Sequence, residues 1–220
     1  MRFMAGCGLI DTMSSEKIVI DPCAHAAAEI YKLLIGSVVP RPIAFVSTIS
    51  AEGIPNLAPF SFFNVICANP PVVSFASGFR VPEKDTLANV RANREFVVNI
   101  VTEEIAEQMN LCSGDYEAGI DEFGISGLTQ APSDLIRPPC VAESPMNMEC
   151  KVLQILDIST RPMGGSLIIG EVVRFHVKRA MMHDFRIDPD ELRAIGRMGG
   201  SEYTRTRDRF EMLRPRVQSV

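Results

Sequence analysis

No apolar run in this 220-residue sequence approaches the roughly 20 residues that a membrane-spanning helix needs. The opening "MRFMAGCGLI" holds one arginine and a short apolar patch, too little for a secretory signal. Met13 is an equally good start, so residues 1–15 read as a loose terminus. There is no basic stripe and the net charge is −5, which argues against nucleic acid as a partner. The six cysteines, at 7, 23, 67, 112, 140 and 150, form no CxxC and pair with no nearby histidine. They read as buried or incidental thiols of a reduced compartment, hence a cytoplasmic protein, and not as metal ligands. His25, His176 and His183 are too scattered to suggest a metal. The glycines of a phosphate loop or a dinucleotide fingerprint are missing, as are an internal repeat, a Ser–His–Asp set and a carboxylate pair.

What is present is a core: 46% of residues are apolar, enough to fold residues 16–220 as one domain. "AHAAAEIYKLL" (24–34) reads as a short helix and "VVPRPIAFVSTIS" (38–50) as a strand, because its prolines exclude helix and its β-branched residues suit a sheet. "LAPFSFFNVI" and "PVVSFAS" follow as strands. "VPEKDTLANVRANR" then turns helical, with Asp85 or Thr86 as the expected cap. "EFVVNIV" (95–101) is a strand buried on both faces, "EEIAEQMNLCS" a second short helix, and "GDYEAGIDEFGISGL" a helical turn at best. Two long strands come last, at 147–159 and 166–177, before a polar tail. Six or so strands with few helices do not make a repeating β–α pattern. They predict a mainly β fold, an antiparallel barrel with peripheral helices.

Three stretches carry chemistry. Ser47 and Thr48 are adjacent hydroxyls ending a buried strand. Such groups must find partners, either local backbone or a bound anion or ring oxygen. In "NLAPFSFFN" (56–64), Pro59 cannot donate to a ladder, so the strand is an edge or breaks there. Ser61 and the asparagine amides offer hydrogen bonds beside phenylalanine walls, a combination that suits a planar ligand with a polar edge; a core strand with a bulge is the other reading. In "PEKDTLAN", a helix start beside Lys84 suits a phosphate, and a plain capped surface helix is the other reading.

Taken in order, STxxxxGxxNxAPFSxF (47–63) followed by KDTxxN (84–89) resembles the flavin reductase-like family of FMN-binding split barrels, most nearly its flavoredoxin-type branch. The resemblance is strong over 37–101 and looser through "GEVVRFHV" (170–177) and "RMGGSEY" (197–203). It implies a homodimeric, six-stranded antiparallel split barrel that binds FMN without a covalent bond. Carried onto this sequence, it puts Ser47 and Thr48 at the flavin. It lines the ring and ribityl chain with Asn56, Ala58, Pro59, Ser61 and Phe62, and gives the phosphate to Lys84, Asp85, Thr86 and Asn89. Arg41 is a further phosphate candidate or else a surface ion-pair partner. His176 would face the flavin and the incoming nicotinamide, or else be an ordinary exposed or dimer-facing histidine. The loop bearing Gly199, Gly200 and Tyr203 would fold over the site with the tyrosine stacking, or form a plain turn.

Three functions stay open on this reading: an NADH- or NADPH-dependent flavin reductase, an FMN electron carrier reduced by a protein partner, and a non-catalytic split barrel that binds another cofactor. For the first, the acceptor would be free flavin, a ferric complex, a monooxygenase partner or an organic substrate. The absence of a Rossmann fingerprint makes any nicotinamide a transient co-substrate.

Overall fold

The runs rich in Val, Ile and Phe become seven strands of one antiparallel sheet in the computed structural model, which describes residues 17–215. They are β1 (Ala44–Ile49), β2 (Pro55–Phe60), β3 (Phe63–Ala68), β4 (Pro71–Gly78), β5 (Glu95–Ile100), β6 (Met146–Ser159) and β7 (Gly165–Val177). The order across the sheet is β2-β1-β5-β6-β7-β4-β3. The two terminal strands, β2 and β3, are therefore neighbours in sequence, separated only by Ser61 and Phe62. Two residues cannot span the width of a flat seven-stranded sheet, so the sheet curls until its edges meet. The expectation of six strands gives way to seven because "LAPFSFFNVI" divides at this bend. Pro59 lies on the terminal strand, where its missing N–H costs no ladder bond.

The curled sheet encloses Val46, Phe75, Phe96, Val98, Cys150 and Ile168, all fully buried. Three phenylalanines form its centre: Phe60 to Phe75 at 4.9 Å between ring centroids, and Phe75 to Phe96 at 5.3 Å in edge-on contact. Gly170 of β7 admits the Phe96 ring, since a Cβ there would lie 2.5 Å from it. A second core sits on the outer face, where Phe45 and Leu57 pack under Ile105, Met109 and Phe123. β5 lies between inner and outer cores, so Phe96 to Asn99 are all buried, as its unbroken apolar run predicts.

Helices α1 (Ala27–Ser37), α2 (Asp85–Asn93), α3 (Ala106–Leu111) and α4 (Glu122–Ser126) lie around the sheet. The glycine-rich stretch thus carries α4, capped by the Asp121 carboxylate, which accepts from Phe123 N. The expected side-chain cap of α2 is corrected. Lys84 occupies the cap position, no side chain caps the helix, and Asp85 Oδ2 instead accepts from Gly119 N at 2.9 Å. The first-turn N–H groups of α2 therefore have no side-chain partner.

Among the described residues, no helix is long and apolar enough to cross a membrane, and Cys23, Cys67, Cys112, Cys140 and Cys150 are free thiols. The loose terminus expected at 1–15 lies outside the described residues. β3 faces outward over most of its length, with Val65 65% and Ile66 55% exposed.

Candidate functional site

One end of the β1–β2 hairpin meets α2, and the polar residues of the two motifs converge there. Thr48 and Asn56 are cross-strand neighbours on β1 and β2. Asn56 Oδ1 accepts from Thr48 Oγ1 at 3.2 Å and from Thr86 Oγ1 at 2.8 Å. Asn89 Nδ2 donates to Thr48 Oγ1 at 3.0 Å. All four side chains are buried, so each bond satisfies a group that would otherwise carry a desolvation penalty. The network continues into Glu122 of α4, whose Oε2 accepts from Asn56 Nδ2 at 2.8 Å and from Leu57 N at 2.9 Å. Burial pushes the Glu122 carboxyl above its ordinary value, and these two donors only partly offset that.

On the solvent side of this network lies a cleft. Asn56, Ala58, Pro59, Lys84, Asp85, Thr86 and Glu122 form its inner wall, and Arg80 with the 112–117 segment forms its rim. Ala58 and Pro59 supply flat apolar surface and Asn56 a polar edge. Lys84 stands 5.9 Å over the Phe60 ring. Burial lowers the Lys84 ammonium below its ordinary value, and Arg80 lowers it further. Arg80 Nε is buried with no hydrogen-bond partner among the described residues. Lys84, Arg80 and the uncapped start of α2 therefore line one cleft, alongside the carboxylates of Asp85, Asp115, Glu117 and Glu122, and its cationic part is suited to an anion.

The expected site residues divide. Asn56, Ala58, Pro59, Lys84, Asp85 and Thr86 line the cleft, and Thr48 and Asn89 lie directly behind it. The Thr86 hydroxyl, expected to meet a phosphate, is already donated to Asn56, and the Asn89 amide to Thr48. Ser47 is buried and donates to Pro139 O, so it anchors an outer segment. Ser61 and half-exposed Phe62 form the bend between β2 and β3.

Arg41 is neither a surface ion-pair residue nor a cleft residue. It is buried, and its guanidinium donates to Ile35 O at 2.6 Å, Val38 O at 2.8 Å, Met198 O at 2.8 Å and Ser61 Oγ at 3.4 Å. It clamps the C-terminal end of α1, where cations are favoured, to the C-terminal loop and the β2–β3 bend. Tyr203 is absent from the cleft lining. Arg197 lies 4.5 Å over its ring, and its hydroxyl reaches Asn110 Oδ1 at 3.4 Å. Gly199 packs against Gly36 of α1.

His176 is also away from the cleft. Its Nε2 lies 2.6 Å from Glu149 Oε1, and Glu149 is fully buried. Glu149 accepts from Asp134 N at 2.7 Å and Leu135 N at 2.8 Å. Burial pushes the Glu149 carboxyl up, but these N–H groups and His176 outweigh it and hold the carboxyl below its ordinary value. Ligand atoms of Asp134, Glu149 and His176 lie within 4.8 Å of one another, a grouping hidden by their separation in sequence. The Arg174 guanidinium stands 3.6 Å from Asp134, and both Glu149 oxygens are already engaged, so the group reads as a clamp on the 133–135 loop.

Glu122, Arg80 and the 112–117 rim were missed from sequence. Glu122 sits in a glycine-rich stretch with no motif of its own. Arg80 stood only four residues before Lys84, and that spacing was the available signal.

The chain belongs to the flavin reductase family: the flavin reductase like domain matches residues 35–187. It is similar to nitrilotriacetate monooxygenase component B from Bacillus cereus, with a TM-score of 0.87 and 35% identity, covering 90% of this chain and 100% of that one. A similar likeness holds for the 2-nitrobenzoate 2-nitroreductase NbaA of Pseudomonas fluorescens, with a TM-score of 0.82 and 36% identity over 90% of this chain and 96% of that one. The flavoredoxin of Desulfovibrio vulgaris (Miyazaki F) shares the fold, with a TM-score of 0.69 and 20% identity over 80% of this chain and 91% of that one. The split-barrel class expected from the paired motifs is thereby shown.

Proposed function

We propose that the chain is an FMN-dependent oxidoreductase that takes electrons from NADH or NADPH and passes them to a separate acceptor. The observation that carries this is the cleft itself: apolar Ala58 and Pro59 beside the Asn56 amide at one end, Lys84, Arg80 and the bare start of α2 at the other. A flat ring with a polar edge suits the first part and a phosphomonoester the second. Lys84 and the α2 N–H groups would hold the phosphate. Asn56, Ala58, Pro59, Ser61 and Phe62 would border the ring. Bound FMN supplies hydride acceptance and electron delivery. The protein's part is position: the Glu122–Asn56–Thr86–Thr48–Asn89 network fixes the inner wall so that the ring edge meets oriented dipoles.

The acceptor reading follows the relatives. Likeness to a monooxygenase component supports a monooxygenase partner that receives reduced flavin. Likeness to a nitroreductase supports a second reading, direct reduction of a nitroarene. A homodimer is part of the proposal, since the outward apolar face of β3, with Val65 and Ile66, adjoins the β2–β3 bend at Phe62.

The test is anaerobic. The protein is reconstituted with FMN and mixed with NADH or NADPH, and flavin absorbance is followed. Bleaching by either nicotinamide supports a reductase. Bound flavin that neither nicotinamide bleaches would replace it with the electron-carrier reading. Failure to bind FMN would overturn the proposal.

A further inference from the structure

Arg80 lies at the cleft rim with an unusual set of partners. Its Nε is buried and unpaired among the described residues, while its Nη1 meets Asp115 Oδ1 at 3.3 Å. The Asp115 side chain is 92% exposed, so the carboxylate that meets the arginine comes from a solvated segment. That segment, residues 112–117, lines the same cleft as Lys84 and Thr86. Just beyond it Gly119 N donates to Asp85 Oδ2, and within it Tyr116 Oη donates back to Leu111 O at 2.9 Å. A carboxylate oxygen is thus parked on a guanidinium that lines the cleft beside Lys84.

We infer that Asp115 is a built-in stand-in for the ligand's phosphate: it occupies Arg80 in the empty protein and is displaced when a phosphorylated ligand enters. This rests on the flavin reading of the cleft. Arg80 becomes a phosphate-binding residue beside Lys84, and Asp115 a residue that sets how strongly phosphate is preferred. A phosphomonoester can take two guanidinium N–H groups at once, whereas Asp115 holds Nη1 alone. The exchange is therefore favourable. The solvated carboxylate loses little on release, because exposed ion pairs contribute little to stability.

The test is a titration of the apo-protein with FMN and with riboflavin, which lacks the phosphate, for wild type, Arg80→Gln, Asp115→Asn and the double variant. Arg80→Gln should weaken FMN about 10- to 100-fold and leave riboflavin unchanged. Asp115→Asn should tighten FMN roughly two- to five-fold, again without moving riboflavin. In the double variant the gain from Asp115→Asn should vanish, because its target is gone. Equal losses of FMN and riboflavin in Arg80→Gln would make Arg80 a purely structural residue and overturn the inference. So would a gain from Asp115→Asn that persists without Arg80, which would signal a general field effect. Wild type that binds neither flavin would instead defeat the flavin reading itself.

Discussion

Replacing Asn56 by Asp changes one atom pair at the centre of the buried network. The amide Nδ2 that donates to Glu122 Oε2 at 2.8 Å becomes an oxygen. Two carboxylates would then share a buried site, and one must hold a proton. Protonating an ordinary aspartate at pH 7 costs about 4 kcal/mol, at about 1.36 kcal/mol for each of some three pH units. Glu122, already pushed up by burial, reduces that cost. A loss of roughly 2–4 kcal/mol at pH 7 is expected. The sign with pH is definite: the variant's folded state holds a proton that the unfolded state releases above about pH 4. Its deficit should therefore shrink by up to about 1.4 kcal/mol per unit as pH falls from 7 to 5. Glu122→Gln alone should be near neutral or stabilising, because its amide oxygen can accept from Asn56 Nδ2 and Leu57 N without burying charge. Combined with Asn56→Asp, its amide can flip to donate to the new carboxylate but then no longer accepts from Leu57 N, so it should recover part of the loss and flatten the pH slope. Urea unfolding of the four proteins at pH 5, 6 and 7 measures this. Asn56→Asp within 1 kcal/mol of wild type at pH 7, or a double variant no better than Asn56→Asp, would refute the network as described.

Lys84→Ala should weaken FMN roughly 10- to 100-fold and spare riboflavin, whereas Thr86→Val, which strips Asn56 of a donor, should cost about 1–2 kcal/mol of stability and affect both ligands alike; the same titrations and unfolding curves separate them. Glu149→Gln should destabilise the protein at neutral pH, and the difference from wild type should fade in acid unfolding as pH drops through the lowered value of the native carboxyl, because a depressed acid stabilises only while ionised. If the proposed dimer forms through the outward face of β3, Ile66→Asp should convert it to monomers in light scattering; an unchanged dimer mass would move the interface elsewhere, and a monomeric wild type would overturn the dimer. The buried Cys112 thiol, pushed up to about 11 by desolvation, should resist thiol reagents at pH 8 until the protein unfolds, while exposed Cys23 reacts at once.

The sequence was most legible where a local rule had few competitors. Alternating and continuous apolar runs placed β1, β4, β5, β6 and β7, because burial on one face or two writes itself directly into the pattern. Pro59 marked a terminal strand for the same reason: a missing N–H leaves few places to sit. The bend at Ser61–Phe62 was hidden, since a two-residue break inside an apolar run leaves the composition unchanged. Side-chain partners were less legible still. The family resemblance put Thr48 and Asn56 at the flavin and Thr86 and Asn89 at its phosphate, but gave no sign that the four hydrogen-bond to one another. A hydroxyl at a helix start looks equally available to its own helix, a ligand or a neighbouring strand, and here the neighbouring strand, through Asn56, takes the Thr86 hydroxyl. Arg41 misled in the same way. A guanidinium between two prolines suggests the surface, yet the carbonyls ending α1 together with Met198 O form a buried socket that only the folded chain assembles. Polar residues already engaged inside the fold make poor ligands. The groups left for an anion are therefore those that the fold leaves unengaged at the cleft: the α2 N–H groups without a side-chain cap, the desolvated Lys84 ammonium, and the Arg80 guanidinium, held only by exposed Asp115.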